Sequence, residues 1–170
     1  MTIRIRILAL TLALLAPAAR AEDATLFTAT GAWQGEGRIA PSATAPLERG
    51  RCRVDVSQSA DATQADVIGK CVVAGGASNV SMRFVKGAGT SVRAGVWSAA
   101  TDKTVQFAGR SDATGLAMTS LEPIEVDGVT YEARVDVDFT GNDAFTLKQI
   151  LREPGDDGWR LIVDMSFSQN

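Results

Sequence analysis

The sequence predicts an all-β fold, a single antiparallel up-and-down β-barrel of about 8–10 strands. After residue 30, apolar residues recur at every second position, which is typical of strands with one buried face. Short turns rich in Gly, Asp and Pro separate these segments, as antiparallel hairpins require. No segment beyond the N-terminal apolar run has helical periodicity. Closure of the sheet is favoured because it leaves no exposed edge strand.

The N-terminus has the organisation of a secretory signal peptide. Arg4 and Arg6 precede an apolar run over 7–16, and Ala19-Arg20-Ala21 is a small-x-small cleavage site. The apolar run is shorter than the roughly 20 residues that a transmembrane helix needs. Cleavage after Ala21 leaves 149 residues with a formal charge of −6, because three of 17 basic residues and none of 20 acidic residues are removed. We therefore expect a periplasmic or secreted protein.

The mature chain has the length of one domain. Its first residues contain two large apolar side chains, Leu26 and Phe27, and are expected to form an arm or one helical turn that plugs an end of the barrel. The predicted organisation is a signal peptide at 1–21, an N-terminal arm at 22–30 and a β-barrel domain at 31–170.

The first predicted strand, 31–40, begins with Gly-Ala-Trp. Trp33 shares a face with Gly35 and Gly37, because strand side chains alternate with period two. A large anchor followed by two glycines on the same face suits a strand that bends sharply where another backbone approaches.

The two cysteines are predicted to form a disulfide, since an even pair in a secreted chain is typically bridged. They lie in the second and third predicted strands, 47–57 and 66–74, and a turn within 59–63 places them opposite each other. The register then pairs Cys52 with Cys71, Val54 with Gly69 and Val56 with Val67. A redox or metal-binding pair is the alternative, and CxxC spacing is absent.

The later strands are separated by clear turn signals. Asp127-Gly128 between two valines is a two-residue hairpin signal, and Pro123 interrupts a strand or marks an edge. In the last strand, Trp159, Leu161 and Val163 are expected to share a face. The remaining predicted strands are 79–86, 91–99, 103–109, 116–121, 131–139, 145–151 and 159–167.

The predicted inward-facing side chains are mostly apolar, and the barrel either fills with them or holds one small ligand. Gln149 is the exception, because its amide lies on an otherwise apolar face and requires a partner. Tyr131, the only tyrosine, also faces inward, and the two either orient a ligand or bond each other. The candidate ligand-binding residues are Met82, Phe84, Phe107, Tyr131, Phe145, Gln149 and Met165.

Gly31-Ala32-Trp33 near the start of a secreted antiparallel chain resembles the G-x-W signature of the calycins, which include lipocalins and fatty-acid-binding-like barrels. The chain resembles a bacterial envelope member of that group. The resemblance implies that Trp33 closes the barrel floor and that an arginine, Arg160 or Arg152, packs over it. The T-D-Y-like middle motif of lipocalins is missing.

A second resemblance is to periplasmic metalloprotease inhibitors. These are small barrels with an early G-x-W and two cysteines at similar spacing, and they insert an N-terminal arm into a protease. By that resemblance, residues 22–30 would be the arm that captures an envelope protein. The inhibitors are shorter than this chain.

Composition excludes several kinds of chemistry. The chain has no histidine, which excludes Ser-His-Asp and Cys-His catalysis and His-ligated zinc or haem. The carboxylates Asp136 and Asp138 alternate with apolar residues and are expected on a solvated outer face. No cofactor or metal is expected, and the acidic charge argues against nucleic acid as a partner.

The expected function is therefore non-catalytic binding of a small apolar or amphipathic molecule inside the barrel. The alternative is a protein-binding envelope factor, such as a protease inhibitor, that uses residues 22–30. A membrane-spanning barrel is disfavoured because aromatic residues make up only 6% of the chain and outward positions are charged.

Overall fold

A computed structural model describes residues 26–98 and 103–169. The predicted signal peptide at 1–21 and residues 22–25 of the predicted arm lie outside the described residues. The strands are β1 (Gly31–Ile39), β2 (Glu48–Gln58), β3 (Gln64–Val73), β4 (Gly76–Lys86), β5 (Ser91–Ser98), β6 (Lys103–Ser111), β7 (Gly115–Ser120), β8 (Ile124–Val126), β9 (Val129–Phe139), β10 (Ala144–Arg152) and β11 (Arg160–Gln169).

Ten of these strands form a closed antiparallel up-and-down barrel, so the predicted fold class is confirmed. Each strand from β1 to β6 pairs with the next, β7 pairs with β9, and β9 pairs with β10. β11 joins β10 to β1 and completes the ring. No helix long and apolar enough to cross a membrane is found in the described ranges.

The short strand β8 continues the line of β7 after an interruption. Both pair with the same edge of β9, β7 through Thr119 and Arg134 and β8 through Ile124 and Tyr131. Pro123 lies between them, as expected of a residue that cannot donate to a sheet ladder. The two strands therefore form one wall of the barrel.

The hairpin between β8 and β9 turns at the predicted dipeptide. Asp127 and Gly128 have φ values of 53° and 79°, and Val126 pairs directly with Val129. Two successive residues with positive φ define the turn that matches the twist of antiparallel strands.

The hairpin of β2 and β3 has the predicted register. Val54 pairs with Gly69 and Val56 with Val67. Cys52 and Cys71 are directly opposed with 4.1 Å between their Cα atoms, and they form a disulfide. The turn contains Ala62 with φ 51° and begins with a hydrogen bond from Ser59 N to Gln64 O.

The glycines of β1 allow β11 to lie close against it. A Cβ on Gly37 would stand 2.1 Å from the carbonyl oxygen of Asp164, and one on Gly35 would stand 2.5 Å from the ring of Phe167. Gly37 therefore accommodates a neighbouring backbone, as the sequence predicts, and Gly35 accommodates an aromatic ring.

A bulge in β11 changes one predicted face. Gln149 of β10 pairs with Val163, and the next residue, Ile150, pairs with Leu161, so Ile162 is the extra residue. Ile162 and Val163 both border the interior, whereas Leu161 does not line it. The expectation that Leu161 shares an inward face with Val163 is wrong, because an inserted residue reverses the alternation.

Candidate functional site

The barrel contains a cavity of about 400 Å³. Its wall comes from β1–β4 and β8–β11, and no residue of β5, β6 or β7 in the described ranges contributes to it. The inward side chains of those three strands instead fill their part of the interior: Val92, Ala94, Phe107, Leu116 and Met118. The cavity is therefore displaced to one side of a partly filled barrel.

The cavity reaches solvent at one end of the barrel. That end carries the β1–β2 loop, residues 40–47, and the β3–β4 turn, residues 74–75. Exposed residues of both connections border the cavity, among them Pro41 and Gly75. We call this opening the mouth.

The opposite end is closed by the N-terminal segment, residues 26–30, which forms a turn beneath the strands. Leu26 and Ala29 border the cavity from below, and Phe27 is only 1% exposed. The ammonium of Lys86 lies 4.6 Å from the centre of the Phe27 ring. These residues, with Trp33, form the floor. Because Leu26 and Phe27 are buried in it, they do not project as a free arm.

An aromatic cluster supports the floor. Trp33 is 2% exposed, and its ring centre lies 5.0 Å from that of Phe145. Phe145 stacks on Phe167 at 4.7 Å and lies 6.0 Å from Phe139. Three members, Phe139, Phe145 and Phe167, also line the cavity, so its deep end is aromatic.

The arginines expected to pack over Trp33 lie elsewhere. Trp33 pairs with Gln169 at one end of β11, whereas Arg160 begins that strand at the mouth. Arg152 is also at the mouth, where it pairs with Glu132 at 2.7 Å and lies 4.6 Å from the ring of Trp159. The structure thus differs from the arrangement implied by the lipocalin resemblance, because Phe145 and not an arginine packs against Trp33.

Arg160 instead fastens the loop at the mouth. Its Nη2 donates hydrogen bonds to the carbonyl oxygens of Thr44 and Ala45, each at 2.6 Å. Ala43 of the same loop is buried and lines the cavity. The β1–β2 loop is therefore a cover over part of the mouth, tied to β11.

The lining contains no Asp, Glu, Lys or Arg among the described residues. Its polar side chains are Ser42, Ser78 and Gln149. Ser42 Oγ accepts from the amide of Ala45 at 3.2 Å, and Ser78 Oγ donates to a backbone carbonyl at 3.3 Å. The Gln149 amide makes no hydrogen bond within the part of the chain that the structure describes.

The predicted ligand-binding residues divide into two groups. Met82, Phe84, Phe145, Gln149 and Met165 line the cavity. Phe107 and Tyr131 are buried at 2% and 6% exposure but belong to the filled part of the interior. The structure therefore does not bring Tyr131 and Gln149 together at one ligand.

Some lining residues were not anticipated. Ser42 lies in a loop whose place over the mouth depends on the Arg160 contact, which no local pattern signals. Cys52 and Cys71 were predicted only as a disulfide, yet both border the cavity. Cys52 lies on the same face of β2 as Val54 and Val56, and Cys71 lies opposite Cys52, so the period-two pattern of the sequence already indicates that both cysteines face inward.

The carboxylates that were expected on the outer face lie there. Asp136 pairs with Arg134 at 3.3 Å on the outside of β9, and Asp138 is exposed. Arg83 donates to both carboxylate oxygens of Asp66, which lowers the pKa of Asp66. No group of three or more potential metal ligands occurs in the described residues.

Comparison with known families and curated proteins finds no match to this chain. The chain shares with the calycins an antiparallel barrel, here of ten strands, and an early G-x-W. Membership of that superfamily stays a prediction.

Proposed function

We propose that this protein binds a small apolar or amphipathic molecule in the cavity of its barrel, without catalysing a reaction on it, outside the cytoplasm. The cavity carries this proposal. Ligand sites are concave, mostly apolar and furnished with a few polar groups, and volumes of about 300–1,000 Å³ are typical of them. The observed volume of about 400 Å³ lies in that range.

The location of the cavity supports the interpretation that it is a ligand-binding site and not a defect in the packing of the core. Protein interiors are close-packed, and voids much larger than a water molecule are uncommon. Here the β5–β7 side is filled, while the remaining side opens to solvent beside a loop that Arg160 ties in place. The extracytoplasmic location is supported by the Cys52–Cys71 disulfide, since such bonds persist in oxidising compartments.

Dye binding and a pair of matched variants test the proposal. The probe is N-phenylnaphthylamine, an uncharged dye that fluoresces in apolar surroundings. Met82→Trp places a larger side chain into the cavity, and Ser81→Trp places the same side chain on the exposed face of β4. We expect saturable binding to the wild type and Ser81→Trp, and at least tenfold weaker binding to Met82→Trp.

Two results would contradict the proposal. Wild-type protein that fails to bind the dye, and that yields no bound molecule by native mass spectrometry after purification from a periplasm, would refute it. Equal binding by Met82→Trp and Ser81→Trp would place the dye outside the barrel. Circular dichroism and thermal unfolding confirm that both variants are folded before they are compared.

A further inference from the structure

The charges around the cavity restrict the class of ligand. Resting on the proposed function, we propose that the ligand has an uncharged head group that hydrogen-bonds to Gln149, with an apolar body that extends toward the aromatic floor. Anionic amphiphiles, such as carboxylates of the same length, are then poor ligands. The arrangement of polar and apolar atoms along the cavity supports this assignment.

Gln149 offers the free polar contact of the lining. The hydroxyls of Ser42 and Ser78 are already engaged with backbone groups, whereas the Gln149 amide is unpaired within the described part of the chain. A primary amide both donates and accepts hydrogen bonds and carries no charge. It therefore suits an alcohol, amide or carbonyl group.

The position of Gln149 sets the orientation of the ligand. On β10 it lies between Leu147 and Leu151 on the inward face, and Phe145 lies deeper on the same face. A head group at Gln149 is then nearer the mouth, because Leu151 pairs with the first residue of β11, Arg160. The apolar body occupies the space above Phe145 and Phe167.

A buried anion has no compensating charge at this site. The described lining holds no lysine or arginine, and an ion moved from water into an apolar site without a partner is strongly disfavoured. The nearby arginines of the mouth are engaged, Arg160 with Thr44 and Ala45, and Arg152 with Glu132. An anionic head group at Gln149 would remain unpaired.

A carboxylate at the rim further disfavours anions. Glu48 falls on the inward register of β2, in line with Gly50 and Cys52, and pairs with Ile39, which lines the cavity. Its Oε2 is buried and has no hydrogen-bond partner among the described residues. Its negative charge repels an approaching anion. It also offers a cationic amphiphile a partner at the rim, which the test must distinguish from binding at Gln149.

The experiment displaces N-phenylnaphthylamine with three molecules of equal chain length, n-decanol, n-decanoic acid and n-decylamine, at neutral pH. We expect n-decanol to displace the dye at a concentration at least tenfold lower than either charged molecule. Gln149→Leu should weaken the binding of n-decanol by roughly three- to tenfold, as the loss of one neutral hydrogen bond predicts. Lys148→Leu, an exposed change at the adjacent position, should leave the affinity unaltered.

Each contrary result has a separate meaning. Equal or tighter displacement by the acid would overturn the exclusion of anions while leaving ligand binding itself intact. Tighter displacement by the amine would move the head group to Glu48 and overturn the role of Gln149. An n-decanol affinity that is unchanged in the folded Gln149→Leu variant would also overturn the role of Gln149. Failure of the wild type to bind the dye would instead refute the proposed function.

Discussion

Replacing Trp33 by alanine should remove a large part of the stability of the barrel. The side chain is 2% exposed and contacts the aromatic cluster through Phe145. A buried aromatic side chain removes about 150–250 Å² from water, which at 25 cal/mol per Å² corresponds to about 4–6 kcal/mol. The Trp33 indole N–H is buried and has no hydrogen-bond partner within the described residues. Removing this unsatisfied group offsets the loss of stability by about 1–3 kcal/mol. Because the truncation also leaves a cavity, which adds to the loss, we expect Trp33→Ala to lower the free energy of unfolding by about 3–5 kcal/mol, the range usual for such truncations.

Urea unfolding of the disulfide-bonded protein, followed by far-ultraviolet circular dichroism, measures this loss. Trp33→Phe is the matched variant, because it keeps an aromatic ring and removes the unpaired N–H. We expect it to cost less than half as much as Trp33→Ala. Trp97 is half-buried and lies on the outward face of β5, opposite to Val92 and Ala94. Trp97→Ala should therefore lower the free energy of unfolding by less than Trp33→Ala. A loss below about 1 kcal/mol for Trp33→Ala would refute the assignment of Trp33 to the floor.

Three further perturbations address the mouth, the outer face and the disulfide. Arg160→Ala frees the β1–β2 loop and should speed dye release in stopped-flow fluorescence, with little change in circular dichroism. Asp66→Asn should flatten the pH dependence of the free energy of unfolding below about pH 4. The Arg83 contact lowers the pKa of Asp66 in the folded protein, so the stability that this contact adds is lost as the pH falls through the lowered pKa. Replacing Cys52 and Cys71 by alanine should lower the free energy of unfolding by about 3 kcal/mol, as closure of a loop of this length predicts.

Each of these perturbations has an outcome that contradicts its reasoning. Unchanged dye release in Arg160→Ala would mean that the loop does not limit passage through the mouth. A wild-type pH dependence in Asp66→Asn would assign acid sensitivity to other carboxyl groups. A double cysteine variant as stable as the wild type would mean that the hairpin register is held without the covalent link.

Local rules predicted the parts of the fold that depend on neighbouring residues. The alternation of Cys52, Val54 and Val56 with charged residues, together with one turn, was enough to set the register of the second hairpin. Asp127-Gly128 was equally informative, because two positive φ values at such residues leave few alternatives to a tight hairpin.

Features that depend on distant contacts were not predictable in this way. The bulge at Ile162 has no local signature, and it reversed the expected direction of Leu161. Phe107 and Tyr131 have the same inward alternation as Phe145. Both are buried outside the cavity wall, and the contacts across the barrel that decide this leave no local pattern in the sequence. The contact of Arg160 with Thr44 likewise joins residues 116 positions apart.

The pairing of the first strand with the last has a consequence for the order of folding. Until residues 160–169 are in place, β1 and β10 both retain an unpaired edge, and such edges promote aggregation. The same strand supplies Phe167 and Met165 to the cavity wall, so the cavity is complete only when this strand has docked. Contacts of such long sequence separation are slow to form. A newly synthesised chain therefore has two unpaired sheet edges, on β1 and β10, during the interval before its last strand docks.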